Sequence, residues 1–109
     1  MISYVFIESR DPFESRDAQF VVDTATALKE HDNEVTVFLI QNGVLAARRN
    51  AISSHLPQLA KAGVTLLADG FSLKERGMVS TEINAAVKES SVEALVDLLV
   101  RENTKAIWH

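Results

Sequence analysis

The fold is decided by residues 35–40, which read Val35-Thr36-Val37-Phe38-Leu39-Ile40. Five of its six side chains are β-branched or aromatic, the sixth is Leu39, and none of the six is charged. A continuous apolar run of this length is typical of a strand covered on both faces, because a strand with one wet face alternates apolar and polar residues. The stretch therefore predicts a buried strand, with turn residues Asp32 and Asn33 in front of it.

Residues 2–7 repeat the same pattern and predict a first strand. Between the two strands an apolar stripe predicts an amphipathic helix that runs to about His31 and begins in the window 11–15, which offers an N-cap and a proline for the first turn. The stripe consists of Ala18, Val21, Val22, Ala25 and Leu28. A strand, a helix and a second strand of these lengths imply parallel pairing through a right-handed crossover.

The same alternation continues toward the C-terminus. The patterns predict a short helix at 44–47, a loop at 50–54, a helix capped by Ser54 and stopped by Gly63, and a strand at 64–68. A Ser72 to Glu75 capping box then predicts a short helix, and residues 83–87 are compatible with an extension of a helix or with a short strand, which we place near 86–88. A helix capped by Ser90 or Ser91 and a terminal strand at 105–109 complete the chain. We therefore expect residues 1–109 to form a single domain, a three-layer α/β/α sandwich with a mainly parallel sheet of about five strands.

Composition restricts the function. The net charge of -4 provides no basic surface for nucleic acid, and no apolar stretch reaches the roughly 20 residues that span a bilayer. The three histidines lie in separate elements, and neither a G-x-G-x-x-G nor a Walker motif occurs, so we expect no metal and no cofactor. The 109 residues contain no cysteine, and we expect a cytoplasmic protein that engages neither nucleic acid nor membrane.

Ligands of open parallel sheets bind beyond the carboxyl ends of the strands. The loops that follow the first three predicted strands carry polar residues, and these form the predicted ligand-binding set: Glu8, Arg10, Gln41, Asn42, Gly43, Asp69, Gly70, Ser72 and Arg76. Every parallel sheet places polar loops there, so a purely structural interpretation of this set stays open. For Asp69 we expect an internal ion pair with Arg76 or Arg10.

Three segments carry a family resemblance: residues 38–44 (FLIQNGV), residues 63–69 (GVTLLAD) and residues 72–77 (SLKERG). With them the chain resembles the DsrE/DsrF-like sulfur-relay family along essentially its whole length. The resemblance implies an α/β sandwich that assembles into a homo-oligomer, a trimer or a hexamer, or associates with other DsrE/DsrF-like subunits. It also implies, for active members, a persulfide on a cysteine at the end of the third strand.

This chain departs from the family at that cysteine. Aligned on Gly63-Val64 and on Arg76-Gly77, the cysteine position falls at Asp69. A persulfide requires a polarizable thiolate, and a carboxylate forms no stable adduct with sulfane sulfur. We therefore expect that this chain does not carry sulfur itself.

Three hypotheses follow. The first is a cysteine-free relative that serves as a small-ligand-binding or structural subunit of an oligomer. The second is an enzyme that uses Asp69 and Arg76 for acid/base or electrostatic catalysis. The third is an interaction protein whose helix faces and Trp108 are buried between subunits, although Trp108 is equally compatible with a place over the core of the monomer.

Overall fold

The computed structural model describes residues 2–10, 18–49 and 55–109. The elements in chain order are β1 (Ser3–Glu8), α1 (Ala18–Glu30), β2 (Glu34–Leu39), a 3₁₀ helix (Gln41–Ala47), α2 (Leu56–Lys61), β3 (Thr65–Asp69), α3 (Gly70–Glu75), a 3₁₀ turn (Ser80–Glu82), β4 (Val87–Ser90), α4 (Val92–Leu99) and β5 (Thr104–Trp108). The predicted start of the first helix within 11–15, the loop at 50–54 and the cap at Ser54 lie outside the described residues.

The five strands form one sheet in the order β4-β3-β2-β1-β5, and every pair of neighbours is parallel. In this register Tyr4 pairs with Val35, and Val37 pairs with Leu66. β2 occupies the centre, which explains why its residues from Val35 to Leu39 are all buried. The predicted five-stranded parallel sheet is confirmed, and all the carboxyl ends of its strands lie at one edge.

Helices cover both faces of the sheet. On one face α1, α2 and the 3₁₀ helix Gln41–Ala47 pack over a large core that includes Phe6, Val37 and Leu66. On the other face a smaller cluster joins Val5, Ile7 and Phe38 to Leu95 of α4. The three-layer α/β/α arrangement is therefore confirmed, with a thick layer on one side and a thin layer on the other.

Several element boundaries differ from the sequence prediction, and two of them have a clear physical reason. The helical segment after β2 starts at Gln41 rather than at Val44, because Gln41 adopts a left-handed backbone (φ 53°) that turns the chain directly out of the strand. β4 occupies Val87–Ser90 rather than residues 86–88, since its pairing with β3 continues to Asp69 opposite Ser90. Gly63, at φ 93°, ends the α2 segment as expected.

Among the described residues no helix has the length and apolar character needed to cross a membrane. The longest, α1, has 13 residues, against about 20 for a bilayer span.

Candidate functional site

The turn that follows β3 is built on Asp69. This residue is the N-cap of α3, and its backbone is extended while that of the next residue is helical. Its carboxylate oxygen Oδ2 accepts two hydrogen bonds from Ser72, one from the backbone N–H at 3.0 Å and one from the hydroxyl at 2.7 Å. Both residues are buried, and Asp69 is only 3% exposed. An Asp N-cap satisfies backbone donors that a helix start leaves open.

The cap corrects the sequence prediction for this helix. The capping residue is Asp69, and α3 begins at Gly70 rather than at Ser72. Ser72 bridges two loops instead of capping the helix. Its Oγ accepts a hydrogen bond from the backbone N–H of Gln41 at 2.9 Å and donates one to Asp69. A chain of hydrogen bonds therefore connects the loop after β2 to the loop after β3.

Arg76 joins the same two loops at their surface. Its Nε and Nη2 donate to Asn42 Oδ1 at 3.2 and 2.9 Å, and its Nη1 donates to the carbonyl of Ser72 at 3.1 Å. Its ion pair is with the neighbouring Glu75 at 4.0 Å. The predicted ion pair of Asp69 with Arg76 or Arg10 is wrong, because Ser72 engages the carboxylate and Asn42 engages the guanidinium. Asp69 and Arg76 therefore have different partners, and the enzyme hypothesis stays a prediction.

A second polar group lies at the ends of β1 and β5. Glu8 Oε2 and His109 Nδ1 are 2.8 Å apart, and both side chains are largely buried. The backbone holds them there, because the N–H of His109 donates to the carbonyl of Ile7 and the N–H of Ser9 donates to the carbonyl of His109. The rings of His109 and Phe20 of α1 also approach each other, with centroids 6.5 Å apart.

Burial controls the protonation of Glu8. Removal of the carboxyl group from water raises the pKa of Glu8 above its ordinary value of 4.5. Nearby His109 and Arg10 favour the charged form and lower the pKa, but they do not cancel the effect of burial. Glu8 therefore holds a proton more readily than an exposed glutamate.

An apolar cavity opens beside this pair. Its volume, measured as the space open to the centres of water-sized molecules, is about 50 Å³. Its walls are Val21 and Val22 of α1, Val37 and Leu39 of β2, Gly43 and Ala46 of the 3₁₀ helix, and Leu56 and Leu59 of α2, and its polar residues are Glu8, Arg10, His55 and His109. An apolar pocket with a few converging polar groups is the usual form of a small-molecule site.

Gly43 fixes the position of the 3₁₀ helix against β1. A Cβ atom at this residue would lie 2.0 Å from the carbonyl oxygen of Glu8, inside any permitted contact. That carbonyl is held in place by the N–H of Ile40 at 2.9 Å. Only glycine allows this approach, so the 3₁₀ helix borders the cavity through Gly43 and contacts Ser72 through Gln41.

The structure divides the predicted ligand-binding residues among three places. Glu8, Arg10 and Gly43 border the cavity, whereas Gln41, Asn42, Asp69, Ser72 and Arg76 form the hydrogen-bonded network. Gly70 lies in a separate open depression with Lys74 and Glu89. The sequence did not indicate His109 as the partner of Glu8, nor His55 as a residue at the cavity. Whether any of these residues binds a ligand stays a prediction.

Comparison with known proteins supplies the family. The model of the DsrE/DsrF-like family matches residues 3–104, which is nearly the whole chain. No curated protein sequence matches it.

The fold is shared with solved structures, among them the following two. The YchN protein from E. coli superposes with a TM-score of 0.86 at 17% sequence identity, covering 100% of both chains. MTH1491 from Methanobacterium thermoautotrophicum, described as a protein of unknown function, superposes with a TM-score of 0.81 at 23% identity, again over 100% of both chains. At these identities the likeness establishes the fold alone.

Proposed function

We propose that this chain, which belongs to the DsrE/DsrF-like family, is a subunit of a homo-oligomer that binds a small ligand at the strand ends and does not itself carry sulfur. A cytoplasmic location and association with other DsrE/DsrF-like subunits are parts of the same proposal. The observation that carries it is the state of Asp69. The residue at the position where the resemblance expects a cysteine is a buried helix cap that accepts two hydrogen bonds.

The chemistry of Asp69 supports a structural role for this residue. Sulfur carriage needs a nucleophilic thiolate that is reachable by a donor and an acceptor. Asp69 offers a hard oxygen in place of sulfur, and it is 3% exposed with its Oδ2 oriented toward Ser72. The carboxylate thus stabilises the turn between β3 and α3, and through Ser72 and Gln41 it stabilises the loop after β2.

Treatment with a low-molecular-weight persulfide tests the absence of carriage. After removal of the donor, intact-mass measurement should show no added sulfur atom on the unmodified chain. The Phe71→Cys variant, which places a thiol at a 68% exposed position next to the site, is the positive control and should gain sulfur. A labile sulfur atom on the unmodified chain, released by mild reductant, would overturn the proposal.

An apolar surface on the α4 side of the sheet supports assembly. Val92, Val96 and Val100 recur every four residues and are all exposed. Trp108 on the edge strand β5 is 65% exposed. It pairs with Ile7, and paired residues of neighbouring parallel strands lie on the same face, so Trp108 is on the α4 side. This exposure favours a place for Trp108 between subunits over one above the core of the monomer.

These four residues define what we call the valine–tryptophan surface. The three valines recur at a spacing that aligns them along α4, and exposed apolar patches mark interaction sites. The edge strand β5 also offers unpaired backbone groups beside it. A second copy of the chain is the occupant that the family resemblance favours, and the self-complementary contact of a symmetric oligomer suits one repeated apolar patch.

Sedimentation velocity of two matched variants tests the assembly. Val96→Glu introduces a charge on the valine–tryptophan surface, whereas Val79→Glu introduces the same charge at a valine of similar exposure, 55% against 50%, outside this surface. We expect an oligomer for the unmodified chain and for Val79→Glu, and a smaller species for Val96→Glu. A monomer at high concentration for the unmodified chain would refute assembly, and an intact Val96→Glu oligomer would refute this surface as its interface.

A further inference from the structure

We propose that the cavity beside Glu8 and His109 binds a short-chain aliphatic monocarboxylate, with a branched tail of about three or four carbons between α1 and α2 and its carboxylate beside Arg10. This inference deepens the ligand-binding half of the proposed function and rests on it. The subunit role does not depend on it.

The volume sets the size of the ligand. About 50 Å³ is available to the centres of water-sized molecules, and one water needs roughly 10–15 Å³ on this measure, so the cavity corresponds to roughly three to five waters. A branched group such as isopropyl fits this volume. A benzene ring needs a dry cavity on the order of 150 Å³, so an aromatic tail is too large.

The walls determine the character of the tail. Val22, Leu39, Leu56 and Leu59 present only methyl and methylene groups. Each of them is at least nine-tenths buried, so the walls are parts of the main core rather than mobile surface side chains. A lining of this kind gives a bound water few hydrogen-bond partners, whereas it gains free energy from an aliphatic group.

The polar residues at the cavity determine the head group. Arg10 supplies a permanent positive charge, and His55 and His109 add two imidazoles, against the single carboxyl group of Glu8. The Glu8 carboxyl group is already engaged by His109 Nδ1 at 2.8 Å, and burial raises its pKa, which weakens its repulsion of a second carboxylate. The positive charge of Arg10, which acts on Glu8 at the same cavity, disfavours an amine. A carboxylate is therefore the head group that this set of side chains recognises.

The experiment is a titration of the isotope-labelled full chain followed by two-dimensional NMR at the amides of the cavity residues. The probes are isobutyrate, its neutral analogue isobutanol, its cationic analogue isobutylamine, the tail-less acetate and the bulky benzoate. We expect saturable shifts with isobutyrate and at least tenfold weaker binding of each other probe. These five titrations use the unmodified chain, so they test the inference even if a substitution prevents folding.

Three variants locate the site. Ala46→Leu fills the cavity and should weaken isobutyrate binding at least tenfold, whereas Ala106→Leu, the same change at an exposed residue of β5, should alter it less than twofold. Arg10→Gln should weaken binding of isobutyrate at least fivefold without weakening that of isobutanol.

Several outcomes would overturn the inference. They are isobutanol or isobutylamine binding as tightly as isobutyrate, full affinity in a folded Ala46→Leu variant, and the absence of saturable shifts with isobutyrate up to tens of millimolar. Because the NMR readout is at the cavity and the assembly is measured by sedimentation, a failure here is distinguishable from a failure of the subunit proposal.

Discussion

Replacement of Asp69 by alanine should destabilise the fold, because one oxygen of this residue accepts both hydrogen bonds from Ser72. Loss of an Asp N-cap costs about 1 kcal/mol, and the Ser72 hydroxyl, left buried without its acceptor, adds about 1–2 kcal/mol. We therefore expect the free energy of unfolding to fall by about 2–3 kcal/mol. For a domain of this size the melting temperature should then fall by about 10 °C or more.

The assay is urea unfolding followed by far-UV circular dichroism, with a double-mutant cycle at the two residues. Asp69→Asn keeps an oxygen acceptor and should cost less than half as much as Asp69→Ala. Ser72→Ala removes only the hydroxyl, so the double variant should show a coupling of about 0.5 kcal/mol or more. The control, Asp97→Ala at an exposed position of α4, should stay within about 0.5 kcal/mol of the unmodified chain. If Asp69→Ala behaves like this control, Asp69 does not hold the turn and the structural role fails.

Three further predictions concern the neighbouring elements. Gly43→Ala should lower the free energy of unfolding in urea by about 3 kcal/mol or more, because the new Cβ would overlap the Glu8 carbonyl. In Gly70→Ala the nearest atoms to the new Cβ belong to the flexible Glu89 side chain, at 3.1 Å, so the loss should be less than about 1 kcal/mol, and equal effects of the two changes would contradict the close approach at Gly43. Because the pKa of Glu8 is raised in the folded chain, protonated Glu8 contributes stability at pH values below the ordinary pKa of 4.5, and this contribution is lost as pH rises through the folded-state pKa. The stability of Glu8→Gln relative to the unmodified chain should therefore increase as pH rises above 4.5, and a pH-independent difference would disprove the shift. At Gln41, with φ 53°, replacement by valine should cost at least about 1 kcal/mol and replacement by glycine should cost less, with the order of the two melting temperatures as the check.

Much of the architecture was predictable from local pattern. The apolar runs at residues 2–7 and 35–40 indicate strands covered on both faces, and the structure places β1 and β2 side by side in a parallel sheet. The pattern succeeds because burial of both sheet faces constrains nearly every side chain of such a strand. Element ends were less predictable, since pairing with a neighbouring strand, as between Asp69 and Ser90, extends β4 beyond its apolar residues.

The site was predictable only in outline. Polar residues after the strands indicate the end of the sheet at which the structure places the hydrogen-bonded network and the cavity. Spacing alone does not distinguish an Asp that pairs with Arg76 from an Asp that caps a helix through Ser72. The Glu8–His109 pair depends on strand order, which places β5 beside β1 and joins residues 101 positions apart. No local sequence pattern predicts that Glu8 and His109 lie close together, because their proximity depends on β5 being the edge strand next to β1.

The exposure of Trp108 affects the intrinsic fluorescence of the protein. It is the only tryptophan in the sequence, and its indole is 65% exposed on the α4 side of the sheet. The intrinsic fluorescence of a lone chain should therefore resemble that of indole in water and be readily quenched by acrylamide. Contact between copies across the valine–tryptophan surface should shift the emission to shorter wavelength as concentration rises, so a cuvette and a dilution series report on the quaternary state without any label.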